Sequence, residues 1–140
     1  MFILETEASF DAAHFLYDYD GKCRNIHGHR WRIIARIKSS SLGESGQTRD
    51  MVIDFGDFKA ALKEIADQLD HSMIYETGSL KPATIAAFKD EDFKMNEFPF
   101  RPTAERFSQY FFEELVKRHF PVFEVQVFET PKNCATYRED

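Results

Sequence analysis

Cysteine is scarce in this chain of 140 residues: Cys23 and Cys134 are the only two, too few for the disulfide framework of a small secreted scaffold. Positive charge is also in deficit. Eighteen Lys and Arg stand against 24 Asp and Glu, a formal net charge of −6. That balance excludes a generic nucleic-acid surface, which needs clustered cations, but leaves room for one local pocket holding a phosphorylated metabolite. No apolar run approaches the ~20 residues needed to span a bilayer. Glu5, Glu7 and Asp11 interrupt the N-terminus as a secretory signal. The expectation is a cytoplasmic protein with no membrane and no nucleic-acid partner. Internal repeats, low-complexity tracts and linkers are missing as well, so residues 1–140 read as a single domain.

What is abundant is phenylalanine, 15 residues in a chain that is 43% apolar, enough bulky material for one core. Residues 2–12 alternate. Phe2, Leu4, Ala8, Phe10 and Ala12 share one parity while Glu5, Glu7, Ser9 and Asp11 share the other, the period of a half-buried strand. Residues 27–38 alternate too, with His27, His29, Trp31, Ile33, Ala35 and Ile37 on one face and Arg30, Arg32, Arg36 and Lys38 on the other. An acidic outer face and a basic one favour pairing these two strands.

The polar stretch from Lys38 to Asp50 reads as a loop. Asp54 then caps a helix whose buried stripe is Phe55, Phe58, Leu62, Ile65 and Leu69, ending near Asp70-His71. A short helix over Ala83–Asp90 is the only element expected between residues 76 and 101. Pro102-Thr103 opens a second long helix with Ala104, Phe107, Phe111 and Leu115 on one face, and Pro121 stops it. A strand with Phe123, Val125, Val127 and Glu129 on one parity follows, then a turn and a last strand from Cys134. The order is strand, strand, helix, helix, strand, strand: an α+β domain.

His14 keeps the apolar parity of the first strand, and His27 and His29, separated by one glycine, share a face of the second. All three imidazoles can therefore converge on one metal ion, and three such ligands suit Zn2+ with a fourth position open to substrate. Cys23, four residues before His27, has two rival roles. It is either the fourth ligand of a closed structural site or an unligated acid/base beside an open one, and spacing alone does not separate them. Asp70-His71, at a helix end, can relay a proton or simply face water. Glu129 emerges from the buried face of its strand and requires a partner, an Arg or the guanidine-like edge of a ligand. Glu105 lies in a first helical turn and reads as compensating the helix dipole. His119 and Cys134 suggest no role.

Phe10-Asp-Ala-Ala-His14, Cys23-x-x-x-His27-Gly-His29, Val52-Ile-Asp54-Phe, Leu69-Asp-His71, Pro102-Thr-Ala-Glu105 and Phe128-Glu-Thr130 occur in this order along nearly the whole chain. Together they resemble the 6-pyruvoyl tetrahydropterin synthase family. The resemblance implies a tunnelling fold: a four-stranded antiparallel sheet with two helices on one face, oligomerising into a barrel with active sites between subunits. It implies zinc on His14, His27 and His29, proton transfer by Cys23 with Asp70 and His71 as its relay, Glu129 as the anchor of the pterin ring, and Thr103 and Glu105 as further substrate contacts. Three residues between Cys23 and the His-Gly-His segment resemble the family's bacterial carboxytetrahydropterin branch, on the route to queuosine. That branch implies 7,8-dihydroneopterin triphosphate as substrate, with Lys22, Arg24 and Arg138 as candidates for its phosphates. Triphosphate elimination to a pyruvoyl product, or pterin and zinc binding without turnover, are the alternatives.

Overall fold

The computed structural model describes all residues, Met1–Asp140. The two alternating segments form strands β1 (Phe2–His14) and β2 (His27–Ser39), paired antiparallel from Phe2 opposite Ser39 to His14 opposite His27. The complementary outer faces meet as expected. Arg36 lies 3.1 Å from Glu5, Arg32 lies 2.6 Å from Glu7 and Arg30 lies 3.7 Å from Asp11. The inner face carries Phe10, Trp31, Ile33, Ala35 and Ile37 into the core.

Helix α1 (Phe55–Leu69) is capped by Asp54, whose carboxylate accepts from the Gly56 N–H at 2.7 Å. It is followed by strand β3 (Ser72–Glu76), helix α2 (Pro82–Asp90) and strand β4 (Met95–Phe98), then by helix α3 (Ala104–Lys117) and strands β5 (Val122–Thr130) and β6 (Asn133–Arg138). The sheet therefore has six strands, in the order β4-β3-β1-β2-β5-β6, and not the expected four. It is also mixed: β3 runs parallel to β1, and β4 parallel to β3. Five and four residues are too short to display a period. The helices number three rather than two. α1 and α3 pack on the sheet face that holds the core, while α2 buries none of its residues and serves as the crossover between β3 and β4.

A second correction concerns Phe123. A bulge in β5 sets Val122 opposite Ile37, so Val122 and not Phe123 joins Val125 and Val127 in the core. Phe123 turns to the other face, with Lys38 Nζ 4.9 Å and the Arg138 guanidinium 5.7 Å from its ring centre. No helix is long and apolar enough to cross a membrane.

Two features of this frame place the site. Trp31, fully buried, stacks 6.0 Å from Phe10 and sits edge-on to Phe107 at 4.9 Å, forming the floor on which the histidines stand. At the end of α1, Asp70 Oδ1 accepts from the Asp11 N–H at 2.9 Å, and the His71 N–H donates to Asp11 O at 2.6 Å. His71 makes this reversal in the left-handed region, φ 54°. The Asp11 N–H, aided by His71 and Lys94, holds the Asp70 carboxyl below its usual pKa despite some desolvation.

Replacing Phe107 by Ala should cost about 3–5 kcal/mol, read as a lower urea midpoint with an unchanged m value. Asp70→Ala should lower Tm by a few degrees at pH 7. Because the folded-state pKa of Asp70 is depressed, its stabilisation is present above the unfolded carboxylate value and disappears as pH falls through the folded one. The Tm gap between the two proteins should therefore close on acidification; a gap independent of pH would remove the charge-assisted bond from the account.

Candidate metal centre

The β1–β2 pairing puts His14 directly opposite His27, and the alternation of β2 brings His29 to the same face. Ring centres lie 4.6 Å apart for His14 and His27, 5.1 Å for His14 and His29, and 5.0 Å for His27 and His29. One ligand atom from each falls within 4.8 Å of the others. Two rings have their orientation fixed by backbone. His14 Nδ1 donates to Pro102 O at 2.7 Å and His27 Nδ1 donates to Asn25 O at 2.7 Å. A carbonyl only accepts, so both rings carry their proton on Nδ1 and present the lone pair of Nε2.

The residues fit a metal on the atoms left over. Nε2 of His14 and Nε2 of His29 are buried without a hydrogen-bond partner, a costly arrangement unless a cation supplies the partner. Glu129 Oε1 stands 3.1 Å from His29 Nε2 with no hydrogen bond between them. Burial, the largest cause, together with the neighbouring imidazoles, pushes His14 down to about pKa 4 against the opposing Pro102 bond. Burial likewise lowers His29, against the raising effect of Glu129. His14 and His29 are thus set up as neutral donors at neutral pH, as zinc requires. The cluster comprises the three imidazoles and neither a thiol nor a carboxylate, which favours an open site over a closed one containing Cys23.

Cys23 lies half-exposed in a single 3₁₀ turn, Lys22–Arg24, within the connection that leaves His14 and returns to His27. Lys22 and Arg24 flank it; Arg138 is elsewhere, across from Glu124 near the far end of β5, at 3.9 Å from Glu124 and 2.9 Å from Asp140. Thr103 caps α3, its Oγ1 accepting from the Arg106 N–H at 3.2 Å, and Glu105 is exposed in the first turn.

Asp70 and His71 are joined, Nδ1 of His71 donating to Asp70 Oδ2 at 2.8 Å. His71 stands level with outward-parity Asp11, and it borders a cavity of about 660 Å³ lined by Asp11, Ala13, Arg30 and Phe93 and also by His29 of the trio. It forms no hydrogen bond to Cys23 or to the trio. Sequence reasoning missed Phe88, Phe93 and Met95 as walls of this cavity, and it missed the carbonyls of Pro102 and Asn25 as anchors of the histidines. Main-chain carbonyls leave no trace in residue type.

The family described as 6-pyruvoyl tetrahydropterin synthase matches residues 3–140. A Haemophilus influenzae protein named 6-carboxy-5,6,7,8-tetrahydropterin synthase is 37% identical over 99% of this chain and 100% of its own. A Synechocystis protein of the same name is 31% identical over 98% of this chain and 93% of its own. Among solved structures, the 6-pyruvoyl tetrahydropterin synthase of Caenorhabditis elegans superposes with a TM-score of 0.68 at 26% identity, covering 99% of this chain and 96% of that one. An uncharacterized protein from Wolinella succinogenes shares the fold at a TM-score of 0.83 and 21% identity, covering 99% and 98%. A match running from residue 3 to the last residue, with a relative 37% identical along its whole length, places this chain in the 6-pyruvoyl tetrahydropterin synthase family.

Proposed function

We propose that the chain is a zinc-dependent carbon–carbon lyase that converts 7,8-dihydroneopterin triphosphate and water to 6-carboxy-5,6,7,8-tetrahydropterin, acetaldehyde and triphosphate, in the cytoplasm, on the route to queuosine and related 7-deazapurines. The observation that carries this reading is the pair of buried, unpartnered Nε2 atoms in a three-imidazole cluster. The names of the relatives support the choice of reaction.

Zinc bound by His14, His27 and His29 would supply Lewis acidity that makes a side-chain hydroxyl of the substrate easier to deprotonate. Around it, the chain's own groups divide the work. Cys23 takes and returns protons on the carbons next to the ring. His71, its orientation set by Asp70, passes those protons on. Glu129 accepts hydrogen bonds from the amino and ring N–H groups of the pterin, a paired charge-assisted contact. Thr103 and Glu105, at the N-terminus of α3, contribute further contacts to the substrate. Lys22 and Arg24 supply positive charge near Cys23 for the triphosphate.

The trio follows the helix-face parity of β1 and β2, and the Asp70–His71 pair makes no hydrogen bond to Cys23. In this reading Cys23 of one copy works with the Asp70–His71 pair of another, and the functional unit is a homo-oligomer with sites at subunit junctions. β4 and β6 are edge strands that ring closure would pair.

Incubation of the zinc-loaded protein with 7,8-dihydroneopterin triphosphate should release acetaldehyde in step with triphosphate. A pyruvoyl product with no acetaldehyde would instead assign triphosphate elimination. His27→Ala should bring bound zinc, measured by metal analysis, to background while the fold survives, because His27 lies at the rim of the core. Cys23→Ser should keep zinc and Tm and lose at least about 10²-fold in kcat. Loss of zinc from Cys23→Ser would return the thiol to the role of ligand and sink the open-site mechanism.

A further inference from the structure

The segment between His14 and His27 carries Cys23, and its base is closed by Leu16 N–H donating to Cys23 O at 2.9 Å. Its tip is held from outside. Arg101 Nε donates to Tyr17 O at 2.9 Å and Nη2 donates to Asp18 O at 2.7 Å, while the same guanidinium lies 6.0 Å from the centre of the Tyr19 ring. Asp18 adopts the left-handed region at φ 57°. A non-glycine residue persists there only when its surroundings hold it, and the fork of Arg101 grips its carbonyl. Tyr19 in turn lies over Gly21, where an added Cβ would come within 2.7 Å of Tyr19 Cε1. Arg101, Tyr19 and Gly21 thus form a packed stack that ends two residues before Cys23.

The next residue along the chain from Arg101 is Pro102, whose carbonyl accepts the Nδ1–H of His14 at 2.7 Å. One dipeptide therefore fixes both the most buried histidine of the trio and the loop that bears the thiol. Arg101 O also accepts from the Thr103 N–H at 2.8 Å, which ties the dipeptide to the N-terminus of α3. Two carbonyls at different atoms of one guanidinium demand a planar fork; a lysine ammonium meets one of them well and the other poorly.

We propose that Arg101 is a positioning residue that sets where Cys23 stands relative to the histidine trio. The proposal rests on the reading of Cys23 as a proton-transferring thiol. It concerns a contact between loop and scaffold and adds no group to the chemistry itself.

The test uses the zinc-loaded full chain in a Cys134→Ser background, so that Cys23 is the one thiol available to iodoacetamide. Arg101→Ala and Arg101→Lys are compared for zinc content, Tm, alkylation rate of Cys23, and kcat and KM for 7,8-dihydroneopterin triphosphate. Arg101→Ala should retain wild-type zinc and lose about 10–100-fold in kcat with little change in KM, as expected of a misplaced reacting group. Its Cys23 should alkylate several-fold faster, and Arg101→Lys should fall between the two. Wild-type alkylation and kcat in Arg101→Ala would overturn the clamp, as would loss of zinc or an effect confined to KM. The thiol reading fails by a different result, full turnover in Cys23→Ser, so the two failures are distinguishable.

Discussion

Everything at the three-histidine cluster depends on the register of β1 against β2. A slip of one residue would send His14 to one face of the sheet and leave His27 and His29 on the other, because side chains alternate with period two. Two independent patterns oppose that slip. On the buried side, Phe10 meets Trp31 and Ala8 meets Ile33; on the exposed side, Glu5, Glu7 and Asp11 find Arg36, Arg32 and Arg30. Exposed ion pairs contribute little stability individually. As a ladder they discriminate between registers, since a slipped strand would set the charged side chains against the helices.

The register delivers the rings, and the backbone aims them. His14 draws on Pro102, from the entrance of α3, and His27 draws on Asn25, from the end of the Cys23 loop. Each carbonyl removes one of two tautomers, so that the remaining nitrogen faces the cluster. Beneath them Trp31 touches both His14 and His29 edge-on, at 5.0 and 5.4 Å between ring centres. Burial opposes protonation of His14 and His29, whose Nε2 atoms have no hydrogen-bond partner in the protein. Neutral imidazoles with their Nε2 atoms grouped in this way suit a cation.

The parts of this site that were legible in the sequence are those carried by side-chain alternation. His14, His27 and His29 on one face, Glu129 emerging beside them, and α1 and α3 with their caps at Asp54 and Thr103 all follow from periodicity and residue type. What escaped has identifiable physical causes. β3 and β4 are shorter than the window in which a period registers, and their parallel pairing is a tertiary fact. Phe123 left its expected face because a single bulged residue inverts parity locally. The direction of His71 depends on one left-handed φ, which residue identity does not announce.

That last angle has the largest functional consequence. The reversal at His71, φ 54°, sets the residue level with Asp11, to whose carbonyl its N–H donates, and beside the cavity bordered by Arg30 and Phe93. By strand parity the three imidazoles share the helix face of the sheet, while His71 stands level with outward-parity Asp11 in a cavity that His29 also lines. The bonds from Asp11 to Asp70 and His71 hold that pair where it stands, without a hydrogen bond to Cys23. The proposed sharing of sites between copies would ask for no change in this arrangement and would also cover the open edges of the sheet at β4 and β6.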